Sequence, residues 1–375
     1  MKKIYSPLLV LGLLIFTLTF FFVKYSITNT YEENLEESML LYTDWLVKNQ
    51  TKQGDFNYEL DVSTGRVIEG YNIVRQAGGL YSLCQVYQYE GGSKYEDSIE
   101  KGIDFFHGLY EDVENDVPTI AINHEGVKKS NSVALYLLAL VEYMEGSDQA
   151  KEEYMQEAKS LANYLLFTQT DEGSFIYLLD TGRESDYNNG ESFYALIRIY
   201  RLSNDERYLI GAQKAAEYII DRYSNEDFNY SIYAWAMEGF AYLYQIDNSK
   251  EYWDFMKMYT QEYFRISGIP VSIYLDTSTG YPPKANLGVY LEGLAHVAWI
   301  AKERDYDFYI EIKEFMSESL KYLMSLQIDG PKSDRKTEFD LISGGICYDY
   351  ECDTQRIDLT HHNLSAIYLY LKYVD

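Results

Sequence analysis

Polar loops bearing Gly and Asp alternate along this chain with two kinds of helix-length segment, at a repeat of about 40 to 70 residues. Each loop leads into an apolar segment rich in small residues, and a more charged, one-sided segment follows. The apolar segments begin near Tyr71, Asn131, Asn189, Tyr230, Asn286 and Asp358. Their charged partners begin near Tyr95, Asp148, Asp205, Ser249 and Asp305, and one more, near Glu32, opens the series. In that first charged segment Leu35, Met39, Tyr42, Trp45 and Leu46 recur at helical spacing, which leaves one face solvated. In the apolar set, hydrophobic residues lie nearly all round, as buried helices require. Ala77-Gly78-Gly79, Ala134, Ala234, Gly293 and Ser365-Ala366 supply small residues where neighbours must approach closely. The pattern predicts an all-α domain over residues 31–375. Its six helical hairpins close into a ring, apolar helices inside and charged helices outside, with one set of loops meeting at a central cavity.

The loops repeat as well. Gln50-Thr-Lys-Gln-Gly54-Asp-Phe56-Asn-Tyr58 returns as Gln169-Thr-Asp-Glu-Gly173-Ser-Phe175-Ile-Tyr177. Asp61-Val-Ser-Thr-Gly65 is echoed by Asp276-Thr-Ser-Thr-Gly280, and Gly344-Gly-Ile-Cys-Tyr348 is a further echo. Alternation of the Phe-x-Tyr kind followed by a Gly turn predicts short β-hairpins. No Pro/Ser-rich linker divides residues 31–375, so they read as one domain.

Pro7 to Val23 is an apolar run without charge, preceded by Lys2 and Lys3. At 1.5 Å per residue it spans about 25 Å, enough for a membrane helix with its flanks. It leaves through Lys24-Tyr25-Ser26, a poor signal-peptidase site, so residues 1–30 are expected to be an uncleaved anchor. Lysines before the run and Glu32, Glu33, Glu36 and Glu37 after it orient the domain to the extracytoplasmic side.

Composition narrows the partners. A net charge of −27, spread along the chain, argues against nucleic acid, which demands a basic footprint. The 40 tyrosines suit both interhelix packing and a cavity wall. Cys84 lies in an apolar helix as a buried thiol, and Cys347 and Cys352 either close a small loop or stay reduced. No Cys/His spacing suits zinc, and His361 and His362 are too close in sequence to point both rings the same way. Neither metal nor cofactor is expected.

This layout resembles the six-hairpin (α/α)6 toroid of many glycosidases, polysaccharide lyases and glucuronyl epimerases, over almost everything after residue 30. The segment Gln169 to Phe175 is also similar to the Q-x-x-x-G-x-W/F repeat of terpenoid cyclases. The acidic D-x-D-D motif of that chemistry is missing from the sequence. The resemblance implies a carbohydrate-active domain, with function at the loops and the N-terminal ends of the inner helices.

There the sequence offers Glu69, Tyr71, Arg75 and Gln76 around the first inner helix, and His124 before the second. Asp186, Tyr187 and Glu191 open the third, and Asp358 with His362 the sixth. Glu238 and Glu292 repeat as Glu-Gly within the fourth and fifth, either tying helices together or facing the cavity. Asp186, Glu191 and Asp358 enter from opposite hairpins and are the expected catalytic carboxyls. Arg75 and Gln76 would sit beside Asp358 and position the sugar. The expected activity is glycoside hydrolysis of an envelope or extracellular polysaccharide by an acid/base pair of carboxyls. A uronate-directed lyase or epimerase would instead need an Arg with a Tyr or His, and a non-catalytic glycan-binding or scaffold toroid would need neither.

Overall fold

Six helices of this chain are apolar nearly all round, and a computed structural model places them side by side in a closed ring. The structure describes residues 31–91, 93–267 and 284–375. The inner helices are α2 (Ile73–Glu90), α4 (Ser130–Gly146), α6 (Asp186–Ser203), α8 (Tyr230–Asp247), α10 (Leu287–Arg304) and α12 (Ile357–Leu369). Each packs on the next, and α12 packs back on α2. The outer helices are α1 (31–48), α3 (Glu96–His107), α5 (Asp148–Thr168), α7 (Glu206–Tyr223), α9 (Lys250–Ser267) and α11 (Tyr306–Ser325). All twelve begin within three residues of the positions read from the sequence. The runs Pro7–Val23 and Asp276–Gly280 lie outside the described residues. Among the described residues no helix is long and apolar enough to cross a membrane.

Packing explains the small residues. Burial of aliphatic and aromatic side chains between the two layers forms one continuous core, from Leu35 and Trp45 on α1 to Leu364 and Tyr368 on α12. The ring has a seam where first and last hairpins meet, and β-structure staples it. Strand β1 (Glu59–Asp61) pairs antiparallel with β2 (Arg66–Ile68) on one side and with β8 (Thr354–Arg356) on the other, Glu59 opposite Arg356. Trp45 Nε1 of α1 donates to Gln355 Oε1 at 2.8 Å across the same seam. A second sheet joins β3 (Tyr110–Asp112), β4 (Ile120–His124) and β5 (Val127–Lys128), and a third joins β6 (Ile176–Leu178) to β7 (Arg183–Glu184).

The repeated loop motif has a common geometry. Gln50 Nε2 donates to Gly54 O (3.0 Å) and to Ser98 O (2.7 Å) on the next outer helix. Gln169 does the same to Gly173 O (3.2 Å) and Gly211 O (2.9 Å). Gln327 completes the set, donating to Gly344 O (2.9 Å) and Ser38 O (3.0 Å). Gly54, Gly173 and Gly344 all take positive φ, and a Cβ on any of them would strike a backbone carbonyl of α3, α7 or α1. Each loop is therefore docked on the next outer helix, and the last of the three, Gln327 to Gly344, docks on α1 and closes the ring. Cys347 and Cys352 are bridged in the last of these loops, and Cys84 is a free buried thiol.

Candidate active site

All six inner helices start at the same end of the ring, and their first turns line a cavity of about 410 Å³. Its wall takes Asn72 and Arg75 from the start of α2, Asn131 from α4, Tyr187 and Glu191 from α6, Trp235 from α8, Val289 from α10, and Asp358, His361 and His362 from α12. Tyr177 and Arg183, from β6 and β7, reach over it. A concave site of this size with a few convergent polar groups suits a small-molecule or sugar unit.

Glu191 is the most perturbed of the lining carboxyls. It is 4% exposed, one turn into α6, and burial raises its carboxyl to about 8, with a hydrogen bond from Asn131 pulling weakly the other way. Among the described residues Glu191 Oε2 and Asn131 Oδ1 have no partner, so the site holds unspent polar groups at its wall. Three places round the ring of six, Asp358 opens α12 from the opposite side. Its carboxylate meets Arg356 Nε at 2.5 Å and Nη2 at 2.9 Å, and Arg75 Nε at 3.2 Å. Arg75 is in turn steadied by the hydroxyl of Tyr58.

A third constellation lies beside them. His362 Nδ1 is 3.0 Å from Glu292 Oε1 of α10, and that carboxyl is fully enclosed. Burial raises Glu292, while His362 lowers it. His361 also lines the cavity, its ring 4.2 Å from that of His362 at a 45° tilt, so both imidazoles reach one space despite adjacent positions. A neutral imidazole is favoured at His361 because burial depresses its pKa strongly. The room comes from α2: a Cβ on Gly78 would lie 2.5 Å from His361 Nε2.

Several expected site residues are elsewhere. Asp186 is turned toward the outer layer, where it accepts from Tyr223 and from Asn229 Nδ2 (2.7 Å) and pairs with Arg222 (3.5 Å). Gln76 is wholly buried and clips the loop backbone, accepting from Phe56 N (2.7 Å) and donating to Phe56 O (3.0 Å). Asn189 and Asn188 hold Phe175 in the same way, so Gln76 is a loop clamp and does not reach a sugar. Glu69 is exposed at the end of β2 and is not among the lining residues. Glu238 is sealed below the cavity, both oxygens unpartnered among the described residues, with His296 Nδ1 3.9 Å away; burial and neighbouring Glu292 raise its pKa strongly. Tyr71 and His124 line a neighbouring groove instead of the cavity. Arg183, Tyr177, Trp235 and His361 are cavity residues that sequence reasoning missed; the Tyr58/Tyr177 repeat is the one signal that pointed to any of them. Among the described residues no group of His, Cys, Asp and Glu is disposed to hold a metal ion.

No family model matches the chain, and no curated protein sequence does. Solved structures match its fold over nearly the full length. A glycoside hydrolase family 76 α-1,6-mannanase from Salegentibacter sp. HEL1_6 superposes with a TM-score of 0.66 at 12% identity, covering 92% of this chain and 99% of that one. An inactive variant of it, with two consecutive aspartates replaced by asparagine, is in complex with α-1,6-mannotriose (TM-score 0.64, 14% identity, 90% and 98% covered). A D-mannose isomerase matches with a TM-score of 0.62 at 14% identity, covering 92% and 97%. This chain has no two consecutive aspartates anywhere in its sequence. At these identities the likeness is one of fold: the chain is a six-hairpin (α/α)6 toroid.

Proposed function

We propose that the domain is a glycoside hydrolase-like enzyme acting on an oligo- or polysaccharide, with Glu191 as general acid and Asp358 as its opposed carboxylate. The observation that carries this reading is the pair itself. Two carboxyls enter one cavity from opposite inner helices, one kept protonated by burial and the other ion-paired to two arginines. That split of roles is what cleavage of a glycosidic bond asks for. Glu191, neutral up to about pH 8, would give its proton to the leaving oxygen. Asp358 would attack the anomeric carbon or activate a water, and Arg75 and Arg356 would fix its orientation. Trp235, Tyr177 and Tyr187 offer faces and hydroxyls to the sugar. The mannanases of like fold make α-linked mannosides the first substrates to try, although this chain lacks the adjacent aspartates whose loss inactivates one of them.

The test is release of reducing ends from a panel of α-1,6-mannan, its oligosaccharides and other envelope glycans. Glu191→Gln and Asp358→Asn should each cost roughly a hundredfold or more in turnover. A wild-type protein inert on every glycan, or variants as active as wild type, would contradict the assignment.

One observation favours a second reading. His362, backed by buried Glu292 and facing the same cavity as Arg75, is built like a base that moves a proton at a sugar carbon. Isomerisation, epimerisation or elimination would then replace hydrolysis. Formation of an epimer or an unsaturated sugar without new reducing ends would establish it.

We also propose that Pro7–Val23 anchors the domain on the extracytoplasmic side of a membrane, a location that suits the Cys347–Cys352 bridge. The full-length protein should sediment with membranes and resist high salt, and a mature chain cut near residue 26 would refute the anchor.

A further inference from the structure

Beside the central cavity runs a second concavity of about 610 Å³, between the first and second hairpins. Asn72, the N-cap of α2, lines both spaces, so the two adjoin at that residue. The floor of the second is an aromatic platform. Tyr71 and His124 stack with centroids 4.6 Å apart and planes 8° from parallel, and Tyr71 is 40% exposed. Phe105 and Leu109 extend the apolar wall, and the carboxylates of Asp55 and Glu125 stand at its edge. Both carboxylates bear on the Tyr71 hydroxyl and, after burial, help raise its pKa.

His124 is held there by design of the backbone. It ends β4, opposite Val127 of β5, and the two-residue turn between them has positive φ at both positions, 54° at Glu125 and 80° at Gly126. Such a turn fits the strand twist but strains a non-glycine residue. The strain is borne at the residue that aims a carboxylate into the groove.

We infer that this groove is a distal subsite for a neutral pyranose of the same glycan chain whose neighbouring unit occupies the central cavity. A flat, half-exposed aromatic pair next to hydrogen-bond acceptors offers one face for the C–H surface of a sugar ring and oxygens for its hydroxyls. The two rim carboxylates would repel a uronate, and Lys129 is the one lysine or arginine among the described lining residues. The occupant follows from adjacency: Tyr71 is next to Asn72 in the chain, so a glycan reaching out of the cavity past Asn72 would meet the Tyr71–His124 face next.

The inference rests on the carbohydrate-active reading, and a chain-length series separates the two. Binding and turnover of α-1,6-manno-oligosaccharides of two to six units are measured for the wild type, Tyr71→Ala and Tyr71→Phe, with melting curves to check folding. The subsite predicts that affinity in the wild type climbs with length. It also predicts that Tyr71→Ala weakens the longer oligomers by about tenfold and leaves the shortest unchanged, with Tyr71→Phe like wild type. An equal effect of Tyr71→Ala at every length, or none at any, overturns the subsite. Length-dependent binding without turnover sustains the subsite and sinks hydrolysis, whereas no binding at any length overturns both.

Discussion

Arg75 and Asp358 join the first and last inner helices across the seam of the ring, Nε to Oδ2 at 3.2 Å. The contact lies between residues nearly three hundred positions apart in sequence, beside the β1–β8 pairing that staples the same seam. It therefore ties closure of the fold to the geometry of the cavity. Both side chains are partly solvated, at 30% and 12% exposure, so the pair is worth less than a buried one. Asp358→Asn should lower stability by about 1–2 kcal/mol, because two guanidiniums lose their partner. Chemical denaturation checks this, and Arg75→Gln should cost a similar amount.

Glu191 makes stability depend on pH. Its folded pKa of about 8 stands above the usual carboxylate value of 4.5, so the folded state holds a proton that the unfolded chain has lost. The stabilisation is complete below about pH 4.5 and falls as pH rises toward 8, by roughly 3–5 kcal/mol over that span. Above pH 8 this contribution is flat. Glu191→Gln, always neutral, should abolish that part of the slope and raise the melting temperature at pH 8 relative to wild type. An unchanged slope in the variant would place the proton elsewhere.

Helix positions and the ring were legible in the sequence because they follow from patterning. Small residues and unbroken apolarity marked the inner helices, and the Gln50/Gln169 echo marked the docked loops. The site was only half legible. Arg75, Glu191, Asp358 and His362 fall at the cavity because each sits in the first turns of an inner helix. Asp186 occupies an equally suggestive position at the first residue of α6, yet its side chain turns outward to Tyr223 and Asn229. Gln76 neighbours Arg75 but points one residue round the helix, into the loop. Rotation about a helix axis separates wall from clamp, and a one-residue uncertainty in phase exceeds what spacing resolves. His361 was misjudged for a different reason: Gly78 on the facing helix makes room for it, which its own sequence neighbours cannot reveal.

Gly78 offers a sharp packing test. An added Cβ would lie 2.5 Å from His361 Nε2 and 2.7 Å from its Cε1. Alanine is otherwise favoured over glycine in a helix by about 1 kcal/mol. Overpacking should outweigh that, so Gly78→Leu should destabilise by about 1–3 kcal/mol or more, with Gly78→Ala in the same direction. Thermal melting decides it, and a stabilised Gly78→Ala would mean that His361 swings freely out of the way.

The Cys347–Cys352 bridge closes a short loop in the last docked segment, so its effect is bounded by loop entropy. Reduction, or Cys352→Ser, should cost about 2 kcal/mol. Thiol counting on the denatured, unreduced protein should find one free cysteine, Cys84.

The most direct test of Glu191 and Asp358 as an opposed pair is a crystal structure of Glu191→Gln with an α-1,6-manno-oligosaccharide. The predicted complex has a glycosidic oxygen about 3 Å from the substituted amide side chain, with Asp358 on the far side of the anomeric carbon. A sugar bound with its ring carbons against His362, and neither member of the pair at a glycosidic bond, would contradict hydrolysis by these two carboxyls.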